Sequence, residues 1–165
     1  MKELIRNAQS GDPEAFIRLM ELHKLSMYRV AKGYFAERMD AEDAISEAVM
    51  ASWEKISTLK KPEFFKTWVL RILINKCNDI KRSQKRTVAL DKVPEAVLTQ
   101  DFYTGDALIG RLGDAYRIVL TLFYGEGYKV REIAKMLGLP AGTVSSRLKR
   151  GREQIAAMIK EEKTE

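Results

Sequence analysis

The chain has 165 residues, 45% of them hydrophobic, enough to bury one moderate core or two small ones. A formal charge of +6 favours a polyanionic partner but does not choose between nucleic acid, ribosome and membrane surface. The single cysteine excludes an internal disulfide, no window approaches the roughly 18 uncharged apolar residues of a membrane span, and MKELIRNAQSGDPEAF has no apolar run of signal-peptide kind, so the expected compartment is cytoplasmic.

In chain order, the first strong pattern is residues 13–32, where Phe16, Leu19, Met20, Met27, Val30 and Ala31 share a helical face. Asp12 before Pro13 supplies an N-cap and a first-turn proline. Residues 40–56 form a second predicted helix, with Ala44, Ile45, Ala48, Val49, Ala51 and Ile56 inward and acids outward. After the polar break STLKKPE, residues 64–86 read as a third helix rich in Lys and Arg. Cys77 sits in its apolar run and is expected buried and inert, because the only histidine, His23, is remote and has no triad-like context. Trp53 and Trp68 are expected as core anchors, with interface use open to either, and Phe64 and Phe65 are divided between an outward and an inward role. Residues 87–106 lose the periodicity and read as a linker; 107–124 return to helix despite Gly110 and Gly113.

Charge falls in blocks along this order. Glu37 to Glu54 holds six acids and one base, Lys55 to Arg86 ten bases and two acids, and Thr87 to Asp106 is net −3. Alternating blocks predict distinct faces for distinct partners. The acidic helix, with Asp40, Glu42, Asp43 and Glu47, admits a solvated face, a protein-docking face, or a Mg²⁺ held by Asp43 and Glu47; no further ligand joins that pair in sequence.

The last segment, VREIAKMLGLPAGTVSSRLKRGREQI, is the most specific. Val130, Ile133, Ala134 and Leu137 share a face, Gly138 suits a positive φ, Leu139 is expected under the turn, and Pro140 fits the first position of a new helix. In that helix Val144 and Leu148 face inward, leaving Thr143, Ser145, Ser146, Arg147, Lys149 and Arg150 outside. Short hydroxyl side chains allow close approach to bases, and Arg and Lys reach guanine edges or phosphates, which is the layout of a DNA-reading helix-turn-helix. The plainer alternative is a helical hairpin with a solvated basic face.

These residues resemble the fourth conserved region of bacterial sigma factors of the extracytoplasmic-function (ECF) group, in the sigma-70 family. The match runs through Glu132-Ile133-Ala134, Leu137-Gly138, Gly142-Thr143-Val144, Ser146-Arg147-Leu148 and Arg150-Gly151-Arg152. Pro140 stands where the family often has a serine cap, and Ser145 where a basic residue is common. Upstream, DAEDAISEAVMASWEKI resembles the family's second region through Asp40, Ala41, Glu42, Asp43, Glu47 and Trp53, with Ser46 and Val49 replacing the usual Gln and Phe. FFKTWVLRILINKCNDIKR resembles the helix that follows, through Phe65, Trp68, Arg71, Ile72 and Asn75.

The resemblance implies an all-α protein of two small helical domains, 1–86 and 107–165, joined by a flexible acidic linker, 87–106. It implies a sigma factor that directs core RNA polymerase to promoters, in a stress or envelope response. Asp40, Glu42, Asp43, Ser46, Glu47 and Met50 are then expected on the polymerase β′ coiled coil, with a second contact to the β flap. Asn75, Asn78 and Arg82 are expected toward the minus-ten element and the loop Leu59–Phe64, with Lys60, Lys61 and Phe64, around an extruded base. From their chemistry Arg71 and Lys76 suit phosphates of both strands near the melting point, and Asp79 a hydrogen bond to a base. The helix-turn-helix set is expected on the minus-thirty-five duplex. The linker is implied to enter the polymerase's RNA path; an inert tether is its alternative. An anti-sigma partner is implied, and no cofactor, metal, catalytic residue, small-molecule substrate or membrane insertion. A stand-alone helix-turn-helix regulator is the competing function.

Overall fold

The computed structural model describes residues 1–88 and 108–165, and every regular element among them is helical. The described residues divide into two compact units, one comprising Met1–Ala31 with 38–88, the other Lys32–Glu37 with 108–165.

The first unit holds α1 (Lys2–Gln9), α2 (Pro13–Tyr34) as far as Ala31, α3 (Arg38–Lys55) and α4 (Phe65–Val88). The junction before α2 is built as the sequence predicts: Asp12 Oδ1 accepts from the backbone N–H of Glu14 at 2.9 Å and of Ala15 at 3.3 Å. Phe16, Leu19, Met27, Val30 and Ala31 are all buried, so the apolar face of α2 is the one the spacing defines. α1 is an addition to the sequence reading. It is only eight residues long, and its burial rests on Ile5 and Ala8.

α3 packs against α4 through small residues: Ala41, Ala44, Ala48 and Ser52 are fully buried. Small side chains let the two backbones approach closely, while α4 supplies bulk with Val69, Leu70, Leu73, Ile74 and Cys77. Ser52 satisfies its buried hydroxyl by donating to the Ala48 carbonyl at 2.6 Å. Ile45 and Val49, expected inward, are only half-buried, because the contact face is centred on the alanines. Edge-on aromatic pairs tie α2 to both neighbours, Phe16 to Trp53 at 5.0 Å and His23 to Phe65 at 5.2 Å. Trp53 nevertheless leaves 39% of its surface in solvent, which corrects the expectation of a core anchor.

Between α3 and α4 the chain makes two short 3₁₀ turns, Ile56–Thr58 and Pro62–Phe64. The predicted helix start at residue 64 therefore moves to Phe65. At its other end α4 carries on through Val88. The rest of the predicted linker, from residue 89, lies outside the described residues.

In the second unit the predicted continuous helix 107–124 is broken. Residues 108–110 are helical, a turn follows, and α5 (Asp114–Leu120) starts afresh after Gly113, whose ψ of 152° is extended. The cause is Arg117. Its buried guanidinium donates to the carbonyls of Gly110 at 3.2 Å and Leu112 at 3.3 Å and pairs with Asp114. An unbroken helix would give those carbonyls to backbone N–H groups four residues on. After α5 comes one π-helical turn, Thr121–Gly125, closed by Glu126 N–H donating to the Thr121 carbonyl at 3.0 Å.

The unit ends in α6 (Val130–Leu137) and α7 (Ala141–Thr164). Glu132 reaches back to accept from the Lys129 N–H at 2.7 Å, closing the start of α6. Gly138 has φ 66° and ψ 36°, the left-handed conformation the sequence predicts for it, and the Leu139 N–H then donates to the Ala134 carbonyl at 3.0 Å. Pro140 caps α7 from outside instead of occupying its first turn: its ψ is 144°, and its carbonyl accepts from Thr143 and Val144. On α6, Ile133, Ala134 and Met136 are buried, and Leu137 is only half-buried.

Candidate nucleic-acid interface

Within the second unit, α7 is held by Val144, Leu148 and Gly151, which fall along one stripe and are buried. A Cβ on Gly151 would stand 2.9 Å from Leu120 Cδ1 and 3.5 Å from Tyr116 Cβ, so glycine is what allows α7 to lie this close to α5. That approach forms an open groove lined by Ala115 and Tyr116 of α5, Pro140, and Gly142, Thr143, Ser146, Arg147 and Arg150 of α7. Four of the predicted duplex-reading residues thus come together there. Ser145 and Lys149 are exposed but lie on α7 outside the groove. The sequence reading missed Tyr116, which lies on α5 against Gly151 of α7. Ser146 Oγ donates to the Gly142 carbonyl at 2.9 Å, so its hydroxyl oxygen remains able to accept.

In the first unit, α4 buries one side and exposes the other. Arg71, Asn75 and Arg82 are exposed and Asn78 half-exposed, at spacings of three and four residues that align them in one outward row. Asp79 stands beside that row and accepts from Arg82. This pairing holds the guanidinium along the helix and lowers the carboxylate's freedom to meet a base. Lys76 is half-buried and stands about 100° around the helix from Asn75, apart from the row. Asn78, Lys81, Arg82 and Lys85 line a shallow depression on the same helix. Cations flanking an amide suit a phosphate track beside a directional base contact.

The loop Leu59–Phe64 leads into this helix. Leu59 and Phe65 are buried at its two ends, whereas Lys60, Lys61 and Phe64 are exposed, Phe64 by 55%. Lys61 Nζ lies 5.9 Å from the centre of the Phe64 ring. An exposed aromatic ring with an ammonium group over it offers stacking and phosphate attraction together.

The acidic helix α3 presents Asp43, Ser46, Glu47 and Met50 outward on one edge. Met39, not foreseen there, and Trp53, for which interface use stood beside a core role, extend this edge. Asp40 differs: it is half-buried and accepts from Gln84 Nε2 of α4 at 3.0 Å. Glu42 accepts from Arg38 Nε at 2.7 Å. Among the described residues no three His, Cys, Asp or Glu side chains gather in one place. Cys77 lies buried behind the α4 row, and burial pushes its thiol up to about 12. No helix among the described residues is long and apolar enough to cross a membrane.

The family model for sigma-70 region 2 matches residues 14–87, and that for sigma-70 region 4 matches residues 106–155. The RNA polymerase sigma factor SigV of Bacillus subtilis is 30% identical over 78% of this chain and 81% of its own length. The ECF RNA polymerase sigma factor SigW of the same organism is 28% identical over 98% of this chain and 97% of its own. The fold also resembles that of the sigma factor RpoE from Bartonella quintana, solved with the anti-sigma factor NepR. Its TM-score is 0.76, at 21% identity over 88% of this chain and 96% of that one. The chain belongs to the sigma-70 family, among the ECF RNA polymerase sigma factors.

Proposed function

We propose that this sigma factor acts by dividing promoter recognition between its two units. The groove of α5 and α7 takes the minus-thirty-five duplex. Thr143, Ser146, Arg147 and Arg150 meet base edges and phosphates there, and Ser145 and Lys149 supply backbone contacts from outside the groove. The outward row of α4, with Arg71, Asn75, Asn78 and Arg82, takes the minus-ten element as it opens. Lys60, Lys61 and Phe64 hold an extruded base, offsetting an unstacking cost of about a few kcal/mol. Lys76 and Asp79 act at the margin of that row.

The single observation carrying this reading is that one compact unit bears both faces: an outward acidic edge on α3 and a basic amide-bearing row on α4. A stand-alone duplex regulator has no use for that pair. Asp43, Ser46, Glu47 and Met50 form the edge offered to the polymerase β′ coiled coil, with Glu42 beside it, while Asp40 also braces α3 against α4. The chain performs no chemistry itself; nucleotidyl transfer belongs to the polymerase. A cytoplasmic place follows from that partner. The structure of the related RpoE with NepR supports control by an anti-sigma factor here as well.

Transcription in vitro with purified core polymerase and a promoter library tests the reading. The expected result is co-migration with core and start sites that core alone does not use. Absence of both would overturn it.

A further inference from the structure

The side-chain amide of Gln9 stands between two backbone carbonyls of a distant segment. Its Nε2 donates to the Ile56 carbonyl at 3.0 Å and to the Leu59 carbonyl at 2.8 Å. Both partners can only accept, so the NH₂ end must face them, and each of its hydrogens is used. Ile56 and Leu59 bracket the first 3₁₀ turn, and Leu59 opens the loop that presents Lys60, Lys61 and Phe64. Neither 3₁₀ turn has a side-chain cap of its own. Gln9 is in turn fixed from two sides. Ile5 and Ala8 sink α1 into the unit, and a tight turn with Gly11 at φ 93° hands the chain directly to the capped start of α2. α1 lies before the residues matched by the region 2 family model, so this brace is carried by a segment outside the matched core.

We infer that Gln9 is a positioning residue for strand capture: by clamping the Ile56 and Leu59 carbonyls it sets the angle at which Lys61 and Phe64 meet an extruded base. The inference rests on the reading of the Leu59–Phe64 loop as the base cradle. Without the amide, Leu59 and Phe65 still anchor the loop ends, but the segment between them loses its long-range polar tether and samples more geometries. The loss is then one of preorganisation, not of contact.

The test uses reconstituted holoenzyme and three readouts: affinity for core polymerase, affinity for a minus-thirty-five duplex, and capture of a single-stranded minus-ten oligonucleotide. The oligonucleotide carries 2-aminopurine scanned through its sequence, whose fluorescence reports unstacking. Gln9→Leu keeps the bulk and removes both donors; Phe64→Ala removes the cradle's aromatic face. Both should weaken single-strand capture, Gln9→Leu by about tenfold for two hydrogen bonds. Core and duplex affinities should stay within about twofold, the precision of such titrations. Amide exchange over residues 60–64 should quicken in Gln9→Leu while the α4 core keeps its protection, which also verifies that the variant is folded.

Loss of capture in Phe64→Ala with none in Gln9→Leu would overturn the inference and leave the cradle intact. Undiminished capture in Phe64→Ala would remove the cradle and the inference with it. An equal drop in all three affinities for Gln9→Leu would show a general structural role and also overturn it.

Discussion

α4 and α7 have the same length, 24 residues, and both face nucleic acid in the proposed function, yet they are built differently. α4 carries seven bases against one acid, spread along its whole length, and buries Val69, Leu70, Leu73, Ile74 and Cys77 completely. α7 gathers Arg147, Lys149, Arg150 and Arg152 near its start and turns mixed in charge from Glu153 onward. It is held by the narrow stripe of Val144, Leu148 and Gly151. A helix that must keep a melted strand in register needs a rigid bed, and a helix that reads a duplex needs only a correctly angled tip. The late part of α7 is largely exposed and carries a surface ion pair, Glu162 accepting from Arg111 at 3.2 Å.

This contrast can be broken by substitution. Leu73→Ala should cost the first unit about 2–5 kcal/mol, read by chemical denaturation, because the bed of α4 is fully packed. Leu148→Ala should cost the second unit less; an equal or larger loss would erase the distinction. Gly151→Val, forcing Leu120 and Tyr116 apart, should cost about 1–3 kcal/mol and open the duplex groove, visible as a lower melting temperature of the second unit.

Function should divide in the same way. Arg150→Ala is expected to weaken minus-thirty-five duplex binding by about 1–3 kcal/mol if it meets a guanine, with sequence preference relaxed at one position. Undiminished binding across sequences would take it out of the reading set. Asn75→Ala should leave duplex binding unchanged and lower open-complex yield by about 1 kcal/mol, measured by permanganate reactivity of the opened bases.

The smallest effect at ordinary pH comes from Cys77. Burial pushes its folded thiol up to about 12 from the ordinary 9.0, so the unfolded chain loses its proton first. Stability should be indifferent to this group below about pH 9 and fall as pH climbs from there toward 12. Denaturation curves at neutral pH and near pH 10 should show the decline, and Cys77→Val should lack this component of it.

Much of this architecture was legible because it is local. The inward face of α2, the Asp12 cap and the left-handed Gly138 are each settled by residues within a turn or two of one another, and the sequence shows them. α1 escaped because only Ile5 and Ala8 mark it, too few to establish a period in eight residues. The break at Gly113 escaped for another reason: Arg117 makes it by taking two carbonyls, and a buried arginine looks like a surface one in sequence. Leu137 and Met136 differ by one position, below what apolar spacing resolves. Among site residues, exposure of Arg71, Asn75 and Arg82 follows from the period of α4. Asp40 facing Gln84 and Gln9 facing Ile56 join positions more than forty residues apart, and no local pattern records such pairs.

The burial of Cys77 has one more consequence. With the chain's one sulfhydryl shut inside hydrocarbon and almost wholly protonated, peroxide finds no thiolate to attack, and no second thiol exists to close a bridge. The sulfurs of this chain that an oxidant can reach are thioethers, and two of them, Met39 and Met50, stand exposed on the α3 edge.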